Sequence, residues 1–374
     1  MAIDPAKPFD LTYRVDGAFD GLRVDRFVQA MVPTISRTRI QAYNREGRIL
    51  VNDERRAQNW RVREGDVVTL RCPVPPGGAS LGRDIPVDVM WEDGYLLAVN
   101  KQPGLVVHPV ALHRHDTLMN ALYWRYRDRL GPGKELSLVN RIDKLTSGLV
   151  LVSKDPEAKR DLQRQFEARS VDKGYLGLAL GEMEADAGTI DRPVGPRKGT
   201  QNRVLQDVRE DGEGRPSQSA FRVLERLCAP VRPADGGPAR RERFTLVRLV
   251  PRTGRQHQLR VHLAYLGHPL VGDHLYGDNH GLRATGPDGG EVEIARFALH
   301  AHWLAFDHPV TGKRMEVTAP PSADLAGVLD ALRAGQPLAR FALESFRKTS
   351  GPHAPAPEVR GRSEAGEDTM RGRC

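Results

Sequence analysis

The chain is poor in cysteine: three in 374 residues, Cys72, Cys228 and Cys374, with no short paired spacing among them. That excludes a disulfide framework and a cysteine-based zinc site, and it fits a reducing, cytoplasmic location. Long apolar runs are missing too. Met1 to Tyr13 holds no apolar core of signal-peptide length, and no later stretch approaches the roughly 20 apolar residues of a bilayer-crossing helix, so neither secretion nor a membrane is expected. Gly195-Pro196-Arg197-Lys198-Gly199 has neither P-loop nor dinucleotide spacing, so no nucleotide cofactor is expected. His257 and His262 lie five apart rather than four, and His300 and His302 have no nearby carboxylate to complete a ligand set, so no metal is expected. What is present is a surplus of base: 56 Lys and Arg against 48 Asp and Glu, a net charge of +8. This suits a polyanionic partner without specifying one. With 39% hydrophobic residues in a chain of this length, more than one core can be buried.

A first module is expected over residues 20–72, after an extension of residues 1–19. Val24, Phe27, Val28 and Met31 recur at helical spacing, and Ser36 is placed to cap a second helix running to Arg45 and ending near Gly47. Ile49 to Asn52 reads as a strand, Asn52-Asp53-Glu54 as a turn, and Val67 to Leu70 as a second strand. Arg37, Gln41, Arg45 and Arg48 share one side of the second helix and its exit, with Arg39 nearby. They form either a stripe that tracks phosphates or a solvated charged face. Pro73 to Ser80 reads as a linker within 73–84. Beyond it come a strand at Leu96 to Asn100, a helix from Pro156 to Arg169 capped by Asp155, and strands at Leu176 to Leu180 and Phe244 to Val250. A further helix is expected from Arg255 to Leu266, with Leu259, Leu263 and Leu266 facing the core and Gln256 and Arg260 on another face. Pro230 to Arg241 and Thr285 to Gly290 read as surface loops, and 346–374 as a disordered tail.

The most informative point is Asp143, in Asn140-Arg141-Ile142-Asp143-Lys144-Leu145-Thr146-Ser147-Gly148 followed by the apolar Leu149 to Val152. A carboxylate at a turn feeding a buried strand is either a rigidly held reactive acid or a loop Asp that caps backbone amides.

This run resembles the His-Arg-Leu-Asp-x-x-Thr-Ser-Gly signature of the RluA family of RNA pseudouridine synthases. Further segments match in order: Trp91-Glu92-Asp93 through Asn100-Lys101-Gln102-Pro103-Gly104 to His108-Pro109, then Lys173-Gly174-Tyr175, then Arg252-Thr253-Gly254-Arg255-Gln256-His257-Gln258-Leu259-Arg260-Val261-His262, then Leu299-His300-Ala301. The resemblance implies an α+β catalytic domain over 85–345, built on a mixed, mainly antiparallel sheet. It makes Asp143 the nucleophile, Arg260 its ion-pair partner, and Tyr175 the residue packed against the target base and a candidate for removing the C5 proton. Arg141, Thr146, Arg255, His257 and Gln258 become substrate-binding residues, with Arg141 filling the place of the extruded uridine or holding its phosphate. Asn140 replaces the usual His and Ile142 the usual Leu; since Arg141 and Asp143 remain, the His is expected to be dispensable.

The first module resembles the alpha-L RNA-binding domain of small-subunit ribosomal protein four, which makes Arg37, Arg39, Arg45 and Arg48 RNA-binding. The expected function is thus isomerisation of uridine in structured RNA, above all large-subunit ribosomal RNA or a ribosome assembly intermediate, with no cofactor and no required protein partner. Two alternatives stand beside it: a synthase acting on transfer RNA, and a non-catalytic RNA-binding protein or RNA chaperone that keeps the fold.

Overall fold

A computed structural model describes residues 9–32, 37–72, 83–109, 113, 115–126, 129–130, 135–200, 204–285 and 290–343. Ser36, the Pro73 to Ser80 linker, most of the loop before Gly290 and the 346–374 tail lie outside the described residues. The chain divides into two compact units, one drawn from residues 1–84 and 109–125, the other from 85–108 and 126–374. Among the described residues no helix is long and apolar enough to cross a membrane.

The first unit contains β1 (Phe9–Arg14), α1 (Val24–Met31), α2 (Arg37–Arg45), β2 (Ile49–Val51), β3 (Glu54–Arg55), β4 (Val67–Cys72) and most of α3 (Leu118–Tyr126). Its four strands pair antiparallel in the order β1-β4-β2-β3. The apolar stripe of α1, Val24, Phe27 and Val28, packs with Ile40 and Tyr43 of α2 on Ile49, Val51, Val68 and Leu70, as the 3.6-residue and two-residue periods require. Asn52 and Asp53 both take positive φ, 51° and 62°, which gives the tight β2–β3 turn. β1 falls in the stretch read as an extension; the alternating Leu11 and Tyr13 pack against this core.

The second unit comprises β5 (Asp88–Glu92), β6 (Leu96–Lys101), β7 (Ser137–Leu138), β8 (Ser147–Ser153), α4 (Pro156–Ala168), β9 (Asp172–Leu180), β10 (Ala187–Asp191), β11 (Val194–Pro196), β12 (Gln206–Val208), β13 (Gln218–Arg232), β14 (Arg240–Pro251), α5 (Gln258–Tyr265), β15 (His280–Thr285), β16 (Glu291–Ile294), β17 (Leu299–Asp307), β18 (Arg314–Thr318), α6 (Ala323–Arg333) and β19 (Leu338–Ala342). One sheet runs β16-β15-β19-β13-β14-β9-β17-β8-β6-β5. It is parallel at β13–β19 and β17–β8 and antiparallel at the other steps of that path, the mixed, mainly antiparallel sheet expected. β8 is buried at every residue, as a continuous apolar run at a central position demands. α4 starts where Asp155 accepts from the Glu157 and Ala158 amides and stops at Arg169 in left-handed conformation. α6 covers one end of the sheet with Leu325, Val328, Leu329 and Leu332.

Three local expectations need correction. Residues 230–232 and 240–241, read as loop, continue β13 and β14, because cross-strand pairing supplies what their mixed polarity does not show. α5 begins at Gln258 rather than Arg255, since His257 sits at φ 55°. Arg260 is buried in it, whereas Leu266, assigned to the core, is 37% exposed.

Candidate active site

Strand register builds the site. Gly148 pairs with Ala301 across the parallel β8–β17 step, and Ala301 pairs with Tyr175 across β17–β9. Tyr175 in turn lies opposite Leu249 of β14, whose end leads through residues 252–257 into α5. The turn before β8 is closed by the Thr146 amide donating to the Asp143 carbonyl at 3.1 Å. Gly148 has φ 107°, and a Cβ there would lie 2.2 Å from the Ala301 carbonyl oxygen. Only glycine permits that approach of backbones.

Around these elements lies a cleft of about 160 Å³, lined by Asp143, Tyr175, Arg260, Arg141, Thr146, Arg255, His257 and Gln258. The structure therefore brings together every residue expected at the catalytic site, although their contacts differ from expectation. Arg260 is the main correction. Its guanidinium forks onto Asp273 rather than Asp143, with Nε and Nη2 donating to the two carboxylate oxygens at 2.7 Å each. Both partners are buried, and a buried fork is stable only when its carboxylate is coplanar and itself held. Asp273 meets this need because it also accepts from the Leu275 and Tyr276 amides. The Phe297 ring, 3.9 Å from the guanidinium carbon, covers the pair. Gln258 uses its amide within the protein: its oxygen accepts from Thr253 Oγ1 and the Arg255 amide, and its nitrogen donates to the Gln218 carbonyl and Ser219 Oγ. It shapes the 253–255 loop. His257 Nδ1 lies 2.7 Å from the Tyr276 hydroxyl. Burial, with the Asp143 charge, pushes the Tyr175 phenol upward, so it stays neutral at physiological pH.

A model of the RNA pseudouridylate synthase family matches residues 95–265. The chain is 35% identical over 313 residues to an RNA pseudouridine synthase of Bacillus subtilis (strain 168), covering 83% of this chain and 94% of that one. The chain belongs to the RNA pseudouridine synthase family. It is 35% identical over 319 residues to the ribosomal large subunit pseudouridine synthase D of Pseudomonas aeruginosa, across 84% of this chain and 92% of that protein. Among solved structures, human RNA pseudouridylate synthase domain containing 1 aligns with a TM-score of 0.48 at 26% identity, covering 68% of this chain and 98% of that one. This pseudouridine synthase is thus an isomerase of the RluA type that its motifs resemble.

Where the family has His, Asn140 of this synthase ties its amide to β8: Oδ1 accepts from the Leu151 amide at 2.7 Å and Nδ2 donates to the Leu149 carbonyl at 3.5 Å. Three cations near the site escaped sequence reasoning as site residues. Lys173 lines the cleft; it precedes Tyr175 by two, the strand period that puts both on one face. Lys101 and Arg296 are buried behind the Asp143 turn. Lys101 stands in a quoted motif, so a signal existed, whereas nothing local marks Arg296. In the first unit, the arginines read as one stripe are partly engaged. Arg37 lies 3.6 Å from Asp25, Arg48 2.6 Å from Glu46, and Arg39 sits over the Tyr43 ring.

His300 connects the site to stability. Its Nε2 donates to the Ala319 carbonyl at 3.2 Å, leaving Nδ1 to accept from Ser147 Oγ at 3.0 Å, an arrangement only the neutral ring allows. Burial pushes it down to about 4, opposed by the Ala319 carbonyl and aided by His302 and Arg296. The unfolded chain takes up this proton near 6.5, so between 6.5 and about 4 it binds more protons than the folded protein. Stability is therefore full above 6.5 and falls as pH drops through the window, by on the order of 3 kcal/mol from this group. Urea midpoints across that range should fall, and more steeply than in His300→Gln; equal slopes would contradict the assignment.

Proposed function

We propose that the protein converts specific uridines of large-subunit ribosomal RNA to pseudouridine, with Asp143 as the nucleophile. The observation that carries this reading is the placement of the Asp143 carboxylate on a glycine-pinned turn, sharing one small cleft with Tyr175. The reaction breaks the N1–C1′ bond, turns the base while it is held and joins C5 to C1′, so it needs neither redox chemistry nor a donor group. A carboxylate can serve as its nucleophile. A cleft of about 160 Å³ is below the roughly 300–1,000 Å³ of common ligand pockets, which suits one base turned out of its stack. Arg141, exposed at the rim, is placed to fill the vacated stack or hold a phosphate. Tyr175, a neutral phenol, offers a flat face to the base and a hydrogen bond rather than a resting base. Arg260 contributes through Asp273 as a wall of the cleft.

Ribosomal RNA is favoured over transfer RNA by the likeness to the ribosomal large subunit pseudouridine synthase D of Pseudomonas aeruginosa, and such a substrate fits work in the cytoplasm, where ribosomes assemble. Purified protein given equal amounts of large-subunit ribosomal RNA and transfer RNA transcripts should form pseudouridine at few positions in the former. Conversion confined to transfer RNA would overturn the substrate.

Residues 20–72 we assign as an alpha-L RNA-binding domain that adds affinity through Arg37, Arg39, Arg45 and Arg48, ahead of a catalytic domain over 85–345. Replacing the four by Gln should weaken binding to many RNAs alike, and each lost phosphate contact should lower the logarithmic salt slope by roughly 0.7 to 0.9. Single-turnover assays across a salt series read this out. An unchanged slope, or modification moved to another uridine, would contradict the assignment.

A further inference from the structure

The stretch Arg55-Arg56-Ala57-Gln58-Asn59-Trp60-Arg61-Val62-Arg63, which leads out of β3 toward β4, carries four arginines and no acid. Val62 enters the core of the first unit, whereas Trp60 stays outside it and is 40% exposed. A single exposed apolar side chain carries no message by itself, but this one is layered. The guanidinium carbon of Arg56 lies 4.4 Å from the centre of the Trp60 ring, and Arg56 Nη2 pairs with Glu54 at 2.5 Å. Arg56 Nε is buried with no hydrogen-bond partner among the described residues. The guanidinium is thus kept over the indole although one of its donors goes unsatisfied.

Hydrogen bonds fix this loop alongside α2. In the orientation that satisfies both ends of its amide, Asn44 of α2 donates to the Arg56 carbonyl at 3.3 Å and accepts from the Gln58 amide at 2.9 Å. At the other end the Trp60 carbonyl accepts from the Val24 amide at 2.8 Å. The next residue, the buried Asp25, accepts from Arg23 at 3.0 Å and Gln41 at 3.5 Å and lies 3.6 Å from Arg37. The layered pair therefore stands beside the α2 residues assigned to phosphate contact.

We propose that Trp60, with Arg56 layered on it, is a stacking platform for one unpaired base of the RNA held by residues 20–72. The inference rests on the reading of that module as RNA-binding and adds a second kind of contact to it. Arginines of α2 meet phosphates, which every nucleotide carries; the platform takes a base splayed out of a loop or bulge, which aromatic rings and guanidinium planes both accept. Four arginines without an acid suit a polyanion. Because every base has a flat π-face, the platform adds affinity without choosing a sequence.

The test is a fluorescence titration of the full chain with an oligoadenylate of about twelve nucleotides, which offers the catalytic cleft no uridine. Indole emission should be quenched on binding, and the quench should be lost in Trp60→Phe, which keeps Trp91, Trp124 and Trp303. Trp60→Ala should bind about tenfold more weakly with an unchanged salt slope, since stacking releases no counterion. Trp60→Phe should recover most of that affinity. Gln in place of Arg37, Arg39, Arg45 and Arg48 should instead lower the slope. If those four changes weaken binding while Trp60→Ala binds as wild type, the platform is overturned and the module's reading stands. That is the result expected of a protein-docking tryptophan. If neither change weakens binding, the module's reading fails and the platform with it. A loss in Trp60→Ala that Trp60→Phe does not restore, with the thermal midpoint lowered in step, marks a packing role and overturns the platform as well.

Discussion

Asp143→Asn is expected to fold and bind RNA normally while losing pseudouridine formation by on the order of a thousandfold or more. The carboxylate has no hydrogen-bonded or ion-paired side chain among the described residues, and it is only half-buried, so little stability depends on it. The amide that replaces it is neither an anion nor a comparable nucleophile. Thermal midpoint and RNA dissociation constant, set beside the single-turnover rate, separate these effects. A rate within tenfold of wild type would remove Asp143 from the chemistry.

Gly148→Ala should have the largest effect on folding. The added methyl would sit 2.2 Å from the Ala301 carbonyl oxygen and 2.7 Å from its carbon, at a φ of 107° that L residues rarely adopt. The obstacle is backbone in the centre of the sheet, where β17 cannot retreat without breaking its pairing with β9. A loss of about 4 kcal/mol or more follows, a large share of the 5–15 kcal/mol typical of a domain. Chemical denaturation checks it, and a loss below about 1 kcal/mol would mean that the β8–β17 step is not as close as described.

The same two residues show what can be read without a structure. Asp143 and the Thr-Ser-Gly turn stand out because turn chemistry and an apolar run lie side by side in the chain. α4 is legible at both ends because Asp155 caps it locally and its stripe is periodic. Arg260 lines the same cleft as Asp143 but forks onto Asp273, thirteen residues on, and which of two acids a buried guanidinium meets is decided by tertiary packing. Arg296 is invisible in the same way, since its acceptors are carbonyls at 145, 297 and 299 and a carboxylate at 324, joined only by the fold. β1 was missed because six residues with one clear alternation carry little local signal until β4 offers an edge. Leu266 was assigned to the core by periodicity, and the helix turns it to solvent because Gly267 ends it there.

The most direct test of the account is a pseudouridine map of total RNA from a strain lacking this gene, complemented with the wild-type chain or with Asp143→Asn. The account predicts that a small set of large-subunit ribosomal uridines loses modification in the deletion, regains it with the wild-type chain and does not regain it with Asp143→Asn. Restoration by Asp143→Asn, or a deletion map identical to the parent, would contradict it.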